Sequence, residues 1–130
     1  VLYGGAMMVR RDVIEQVGKM PEVFFLFAEE FDWSYQITEA GYKLWYEAEV
    51  VVYHKGGATI GYGSPNRAYY MSRARLLFTR RRSKWAIRLL SCTYLVCVSM
   101  PKNVIVALRK KNWMVALIRG TWHGLIDKKK

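Results

Sequence analysis

Phe24-Phe25-Leu26-Phe27-Ala28-Glu29-Glu30-Phe31-Asp32-Trp33 is the stretch on which the reading of this chain turns. An apolar, aromatic run gives way at once to three carboxylates. Over residues 29–40 the spacing is helical, with Trp33, Ile37 and Ala40 on one face and Gly41 as the stop. Three acids in a first turn suit the positive end of the helix dipole. They also permit chemistry. Like charges held close raise one pKa and leave a base that takes up a proton. Grouped carboxylates also offer oxygen ligands to a divalent cation. Taken alone, the triplet fits the helix-dipole explanation better than the catalytic one.

Upstream, Ala6-Met7-Met8-Val9 reads as a short strand entered through Gly4-Gly5. A helix is expected from Asp12, with Asp12 and Glu15 as a capping box, Val13, Ile14 and Val17 as its apolar face, and Gly18 as its stop. Downstream, residues 43–54 read as a strand ending in Val50-Val51-Val52-Tyr53, followed by a loop holding Gly56, Gly57, Gly61 and Gly63. Ser64-Pro65 is a helix start, with Ser at the cap and Pro in the first turn. A basic, aromatic helix is expected from there to about residue 82. Two more helical stretches follow from Lys84, with breaks near Pro101 and near Asn112.

The chain has 130 residues, of which 52% are apolar and 15% aromatic. That supports one small domain with a modest core and excludes a disordered chain. The net charge of +11 hides a split. Residues 1–66 carry five Lys/Arg against nine Asp/Glu, a net −4, whereas residues 67–130 carry sixteen Lys/Arg against the single acid Asp127, a net +15. A strongly basic half points to nucleic acid, anionic lipid or a phosphorylated ligand. The acidic first half and the lack of any nucleic-acid-binding motif argue against the first of these. Cys92 and Cys97 sit in an apolar run without metal-type spacing and read as buried thiols in a reducing compartment. The longest uncharged stretch, Leu89 to Pro101, has only thirteen residues. That is short of the roughly 20 that span a bilayer. With Arg88, Lys102, Arg109, Lys110 and Lys111 around it, a helix lying in the membrane plane is expected. No signal peptide is read at the N-terminus, and the opening Val1-Leu2-Tyr3 reads as a cut within a longer protein.

Five segments, in order and correctly spaced, resemble the C-terminal half of the catalytic domain of family 2 glycosyltransferases. They are Gly5-Ala6-Met7-Met8-Val9-Arg10-Arg11, Val13-Ile14-Glu15-Gln16-Val17-Gly18, the Phe24 to Trp33 run, Ala40-Gly41-Tyr42-Lys43-Leu44-Trp45, and Val52-Tyr53-His54-Lys55-Gly56-Gly57-Ala58. Beyond them, residues 69–78 resemble the post-catalytic helix of a bacterial rhamnosyltransferase-like branch. The resemblance implies an α/β fold: residues 1–63 as the C-terminal, acceptor-side part of a GT-A domain, and residues 64–130 as a basic tail of amphipathic helices. It implies inverting transfer of a hexosyl or rhamnosyl group from a nucleotide-sugar to an acceptor hydroxyl, in the synthesis of cell-surface polysaccharide or glycolipid.

What the resemblance implies for single residues is specific. Glu30 is the general base, with Glu29 and Asp32 beside it to lift its pKa. The commonest pattern has Asp at position 30, so the longer Glu leaves the role shared between Glu29 and Glu30. Trp33, by the affinity of aromatic faces for the apolar side of a pyranose, reads equally as a floor for the acceptor sugar or as a core aromatic of the helix, and Gln36 stands on the acceptor side where Arg is frequent. His54, Lys55, Gly57 and Arg73 lie near the donor diphosphate, with His54 also a ligand for the divalent metal, Mg or Mn. The main metal motif of the family, Asp-x-Asp, is absent from this chain, so the chain alone is expected to be inactive. The implied partners are a nucleotide-sugar, a saccharide or lipid-linked acceptor, and an anionic membrane. The implied location is cytoplasmic, peripheral at the inner face of the cell membrane. The contrasting expectation is a non-catalytic module for membrane surfaces or anionic ligands, built on residues 64–130.

Overall fold

Asp12 and Glu15 do open a helix, but not through a capping box. In the computed structural model, which describes residues 2–57, 59–108 and 110–128, α1 spans Arg11–Val17 and its N-cap, Arg10, makes no side-chain cap. Asp12 instead pairs with Arg10 at 2.5 Å and Glu15 with Arg11 at 3.1 Å, all on the surface. Gly18 closes the helix with φ +93°, a conformation that strains a residue with a Cβ. A 3₁₀ turn follows at Glu22–Phe24, then α2 at Glu29–Glu39. The first apolar cluster forms here: Val13 of α1 packs with Trp33 and Ile37 of α2, and Met7, Val9, Tyr42 and Leu44 pack around it. Ala58, Arg109, Lys129 and Lys130 lie outside the described residues.

The expected α/β architecture is corrected. Helix makes up 62% of the described residues, and none of them forms a strand. Met7 and Val9 contribute side chains to the α1/α2 cluster, yet their extended backbone pairs with no other described residue. Residues 43–54 are interrupted by a turn at Ala48-Glu49, and Val50, Val51, Val52 and Tyr53 are all exposed. A strand is not a local structure. Its N–H and C=O groups need a neighbouring ladder, and among the described residues no other extended segment pairs with these two.

The second half is helical, as its pattern predicts. Ser64 caps α3, Pro65–Arg82, by accepting a hydrogen bond from the Arg67 N–H at 3.1 Å, with Pro65 in the first turn. The expected break at Pro101 does not occur. Helix α4, Trp85–Tyr94, runs through a π-helical segment, Leu95–Ser99, into α5, Met100–Val106. Proline lacks the N–H that would bond four residues back, and the wider π turn just before it accommodates that loss without ending the helix. A turn at Ala107 and Leu108 ends this run, and α6 spans Lys111–Ile126.

Helix α3 organises the molecule. On one side it closes a core with the turn before α2, where Phe24, Ala28, Ala74 and Leu77 are buried together. The split in charge at residue 66 is therefore not a split in packing. On another side α3 meets α6 at very close range. A Cβ on Gly120 would lie 2.2 Å from the Tyr69 carbonyl oxygen and 2.3 Å from Ser72 Oγ; one on Gly124 would lie 2.8 Å from the Arg73 carbonyl oxygen. Gly120-x-x-x-Gly124 is thus a bare stripe that lets the two backbones touch. Around it Tyr69 Oη meets His123 Nδ1 at 2.6 Å, and Arg80 donates to the carbonyls of Gly124 and Asp127.

Candidate functional site

The turn that precedes α2 is strained. Phe25, Phe27 and Ala28 have φ of 64°, 64° and 68°. This left-handed region costs a residue with a Cβ roughly 1–2 kcal/mol. Burial of Phe24 and Ala28 against Ala74 and Leu77 offsets that cost. The sharp reversal sends Phe24 into the core and leaves Phe27 and Glu30 on the wall of a cavity of about 710 Å³. One carboxylate oxygen of Glu30 is buried and has no hydrogen-bond partner among the described residues.

Three of the other residues singled out from the sequence border the same cavity: His54, Lys55 and Gly57. The Gly4-Gly5 turn joins them to Glu30. A Cβ on Gly4 would sit 3.5 Å from Glu30 Cβ, and one on Gly5 would sit 3.5 Å from His54 Cγ. Gly57 has φ +72°, and a Cβ there would lie 2.6 Å from the Tyr62 ring, so that ring rests directly on the loop backbone. Tyr3, Phe31 and Tyr62 add aromatic surface to the wall.

Four of the expected site residues serve the fold instead. Asp32 is fully buried and is held by Arg82 at 2.5 Å and Arg81 at 3.2 Å, with Gln36 donating to it at 2.9 Å. Burial pushes its carboxyl up, but hydrogen bonds and charge from Arg82 and Arg81 outweigh that and hold it below its ordinary value. With its oxygens so occupied, Asp32 stands apart from the cavity, and so does Gln36. Trp33 is buried in the α1/α2 cluster, its indole N–H donating to the Gly18 carbonyl at 2.9 Å, so it offers no face to a sugar. Arg73 is bound to Asp127 at 2.6 Å and donates to the carbonyls of Val23 and Phe24, tying α6 to the turn before α2. Glu29 is half-buried and does not border the cavity. Burial lifts its carboxyl above the ordinary value, the Glu30 charge adds to this, and a backbone hydrogen bond opposes it.

Two residues that sequence reasoning passed over are in the cavity wall: Arg67 and Arg75. The Arg67 guanidinium lies 5.1 Å from the centre of the Phe27 ring and 5.2 Å from that of Tyr62, a cation–π sandwich. The signal was present in the spacing. Arg67, Met71 and Arg75 recur every four residues and so share one face of α3, while Arg73 falls on another. All three of the former border the cavity.

Among the described residues no group of three or more His, Cys, Asp or Glu is placed to hold a metal ion. Mg and Mn favour several oxygen donors in an octahedral shell. His54 with Glu30 does not by itself make up that set. Comparison with protein-family models, curated proteins and solved structures finds no match for the chain.

The raised carboxyl of Glu29 gives a prediction of sign. Its raised folded pKa means that the folded state holds the proton more tightly, so its contribution to stability falls as pH rises from about 4.3, the unfolded value, through the folded one. Glu29→Gln removes a half-buried charge that has no partner at one oxygen. It is expected to raise stability at pH 7 by about 1 kcal/mol, or roughly 3–5 °C in Tm. The gain should vanish below about pH 4, and thermal melts of both proteins across pH 3–8 check this.

Proposed function

We propose that this chain carries the acceptor-side part of an inverting glycosyl-transfer site, with Glu30 as its base. The observation that carries the reading is Glu30 on the wall of a cavity of about 710 Å³, one oxygen of its carboxylate buried without a partner among the described residues, beside cationic, aromatic and aliphatic side chains. Aromatic faces cover the apolar side of a sugar ring, a role that falls to Tyr3, Phe31 or Tyr62 rather than to Trp33. Lys55, Arg67 and Arg75 supply positive charge against a phosphate.

In the proposed step an acceptor hydroxyl gives its proton to Glu30. Its oxygen attacks the anomeric carbon as the bond from that carbon to the diphosphate oxygen breaks, and the leaving electron pair stays on the diphosphate. One displacement inverts the configuration and needs only one base. The substrates are a nucleotide-sugar and a saccharide hydroxyl, on a lipid-linked acceptor where the apolar residue Leu95 reaches the cavity.

The test is transfer by the full-length protein and its Glu30→Gln variant. Loss of at least about 10²-fold in kcat, with acceptor binding retained, is the expected result. Unchanged turnover would remove Glu30 from the mechanism. A second reading, a non-catalytic module for anionic ligands, draws on the three cations against one carboxylate in the cavity wall. Under that reading Arg75→Gln weakens binding of a phosphorylated saccharide to this chain while no transfer is found in any form of the protein.

A further inference from the structure

The helical run Trp85–Val106 is 22 residues long and holds an 18-residue window of mean hydropathy 1.5, none of it buried. At about 1.5 Å per residue it is some 33 Å long, which matches the roughly 30 Å hydrocarbon thickness of a bilayer. Length and composition thus allow it to cross a membrane or to lie along one. Its sidedness and its neighbours separate the two.

Arg88, Ser91, Ser99 and Asn103 are the partly covered side of the run. The Arg88 guanidinium donates to the Ser83 carbonyl at 2.9 Å, and Asn103 donates to the Ser99 carbonyl at 2.7 Å. Ser99 and Asn103 border a small crevice against α3 and α6. The opposite side is exposed and carries Ile87, Leu89, Leu90, Tyr94, Val98 and Ile105. A helix on the surface of a water-soluble protein does the reverse. Here Arg88, Ser91, Ser99 and Asn103 lie on the covered side among Leu95, Val96 and Met100, and the outward side, apart from Thr93 and Lys102, is apolar, which is the arrangement for a surrounding of lipid.

The run also lies beside α3 and antiparallel to it. Leu95 shares one cavity with Arg75 and Thr79, and Asn103 shares another with Ala68. Helix α3 carries Arg67, Arg73, Arg75, Arg80, Arg81 and Arg82. If the run crossed a bilayer, those arginines would be drawn into hydrocarbon, each at a cost that a flat helix avoids. Lys84, Lys102 and Lys110 are exposed in and around the run, a charge pattern that matches anionic headgroups.

We infer that Trp85–Val106 is a monotopic membrane anchor. It lies in the plane of an anionic bilayer with Leu90, Tyr94 and Val98 sunk roughly 5–10 Å below the headgroups, and α3 and α6 stay on the aqueous side. Leu95 borders the Glu30 cavity, so that cavity is held at the membrane surface. This inference stands whether or not Glu30 is a base.

The experiment uses the whole chain and vesicles of phosphatidylcholine with or without phosphatidylglycerol. Flotation is expected with the anionic vesicles and should drop at least tenfold in 0.5 M salt or in Leu90→Glu/Val98→Glu. These two side chains are exposed, so circular dichroism of that variant should match the parent. In a Cys92→Ser background, a fluorophore on Cys97 is compared with one on Ile87→Cys and one on Ile105→Cys. Lipid-borne quenchers should find all three at a similar shallow depth, and an impermeant maleimide outside sealed vesicles should reach both end positions. A deep Cys97 with one end protected would overturn the inference in favour of a crossing helix. No flotation at low salt, together with a concentration-dependent dimer, would overturn it in favour of a second copy on this face.

Discussion

Asp32→Ala is expected to lower the unfolding free energy by about 3–5 kcal/mol, enough to leave a domain of this size mostly unfolded at 37 °C. The carboxylate is fully buried, with Arg81 and Arg82 at 3.2 and 2.5 Å. Removing it leaves two guanidinium groups facing each other, each only about one-sixth exposed at 16% and 17%. A buried charge that loses its partner costs far more than the pair contributed. Arg82 also reaches Glu39 at 3.2 Å, so it keeps one partner and Arg81 is the more severely stranded. The sign with pH follows from the depressed carboxyl of Asp32. Its stabilisation is fully present above about pH 3.9, the unfolded value, and is lost as pH falls through the lower folded value. Urea titrations at pH 7 should show the full loss, and the difference between parent and variant should shrink below about pH 4. Equal stability at pH 7 would mean that the Asp32–Arg pairs do not hold α2 to the end of α3.

Gly120→Leu should be comparably damaging, about 3 kcal/mol, for a reason of shape alone. The first added atom would lie 2.2 Å from the backbone oxygen of Tyr69, which is not the end of a flexible side chain and has nowhere to go. Helix α6 must move away from α3. That motion pulls Thr121 and Leu117 out of contact and stretches the Arg73–Asp127 pair, now at 2.6 Å. Gly18→Ala makes a useful comparison. It meets nothing within 4 Å and carries only the strain of φ +93°, so it should cost about 1–2 kcal/mol. A Gly120→Leu protein with unchanged Tm would show that α3 and α6 do not meet through this stripe.

Much of the local structure was legible in the residues. The Ser64-Pro65 start of α3, the stop of α1 at Gly18 and the helical reach of the acidic triplet were each set by backbone chemistry within a few residues. So was the boundary of charge near residue 66. The strands were not legible, because the apolar pattern of Ala6 to Val9 and of residues 43–54 says only that extended backbone is favourable. Whether such a segment becomes a strand depends on a neighbour to pair with, and among the described residues neither segment has one. Pro101 was misread for a related reason: the loss of one hydrogen bond forces a break only when the preceding turn stays α-helical, and here it widens.

The acidic cluster divides the two kinds of information most clearly. Sequence by itself determined that Glu29, Glu30 and Asp32 would share the first turn of a helix behind an aromatic run. Only the tertiary structure decided that they would have different surroundings. A helix turns about 100° per residue, so the three carboxylates leave it in different directions. What each one meets is then settled by α3, whose arginines are some fifty positions away in the chain. Asp32 meets Arg81 and Arg82 and becomes part of the fold, Glu29 is half-buried without a charge partner, and Glu30 alone opens onto the cavity.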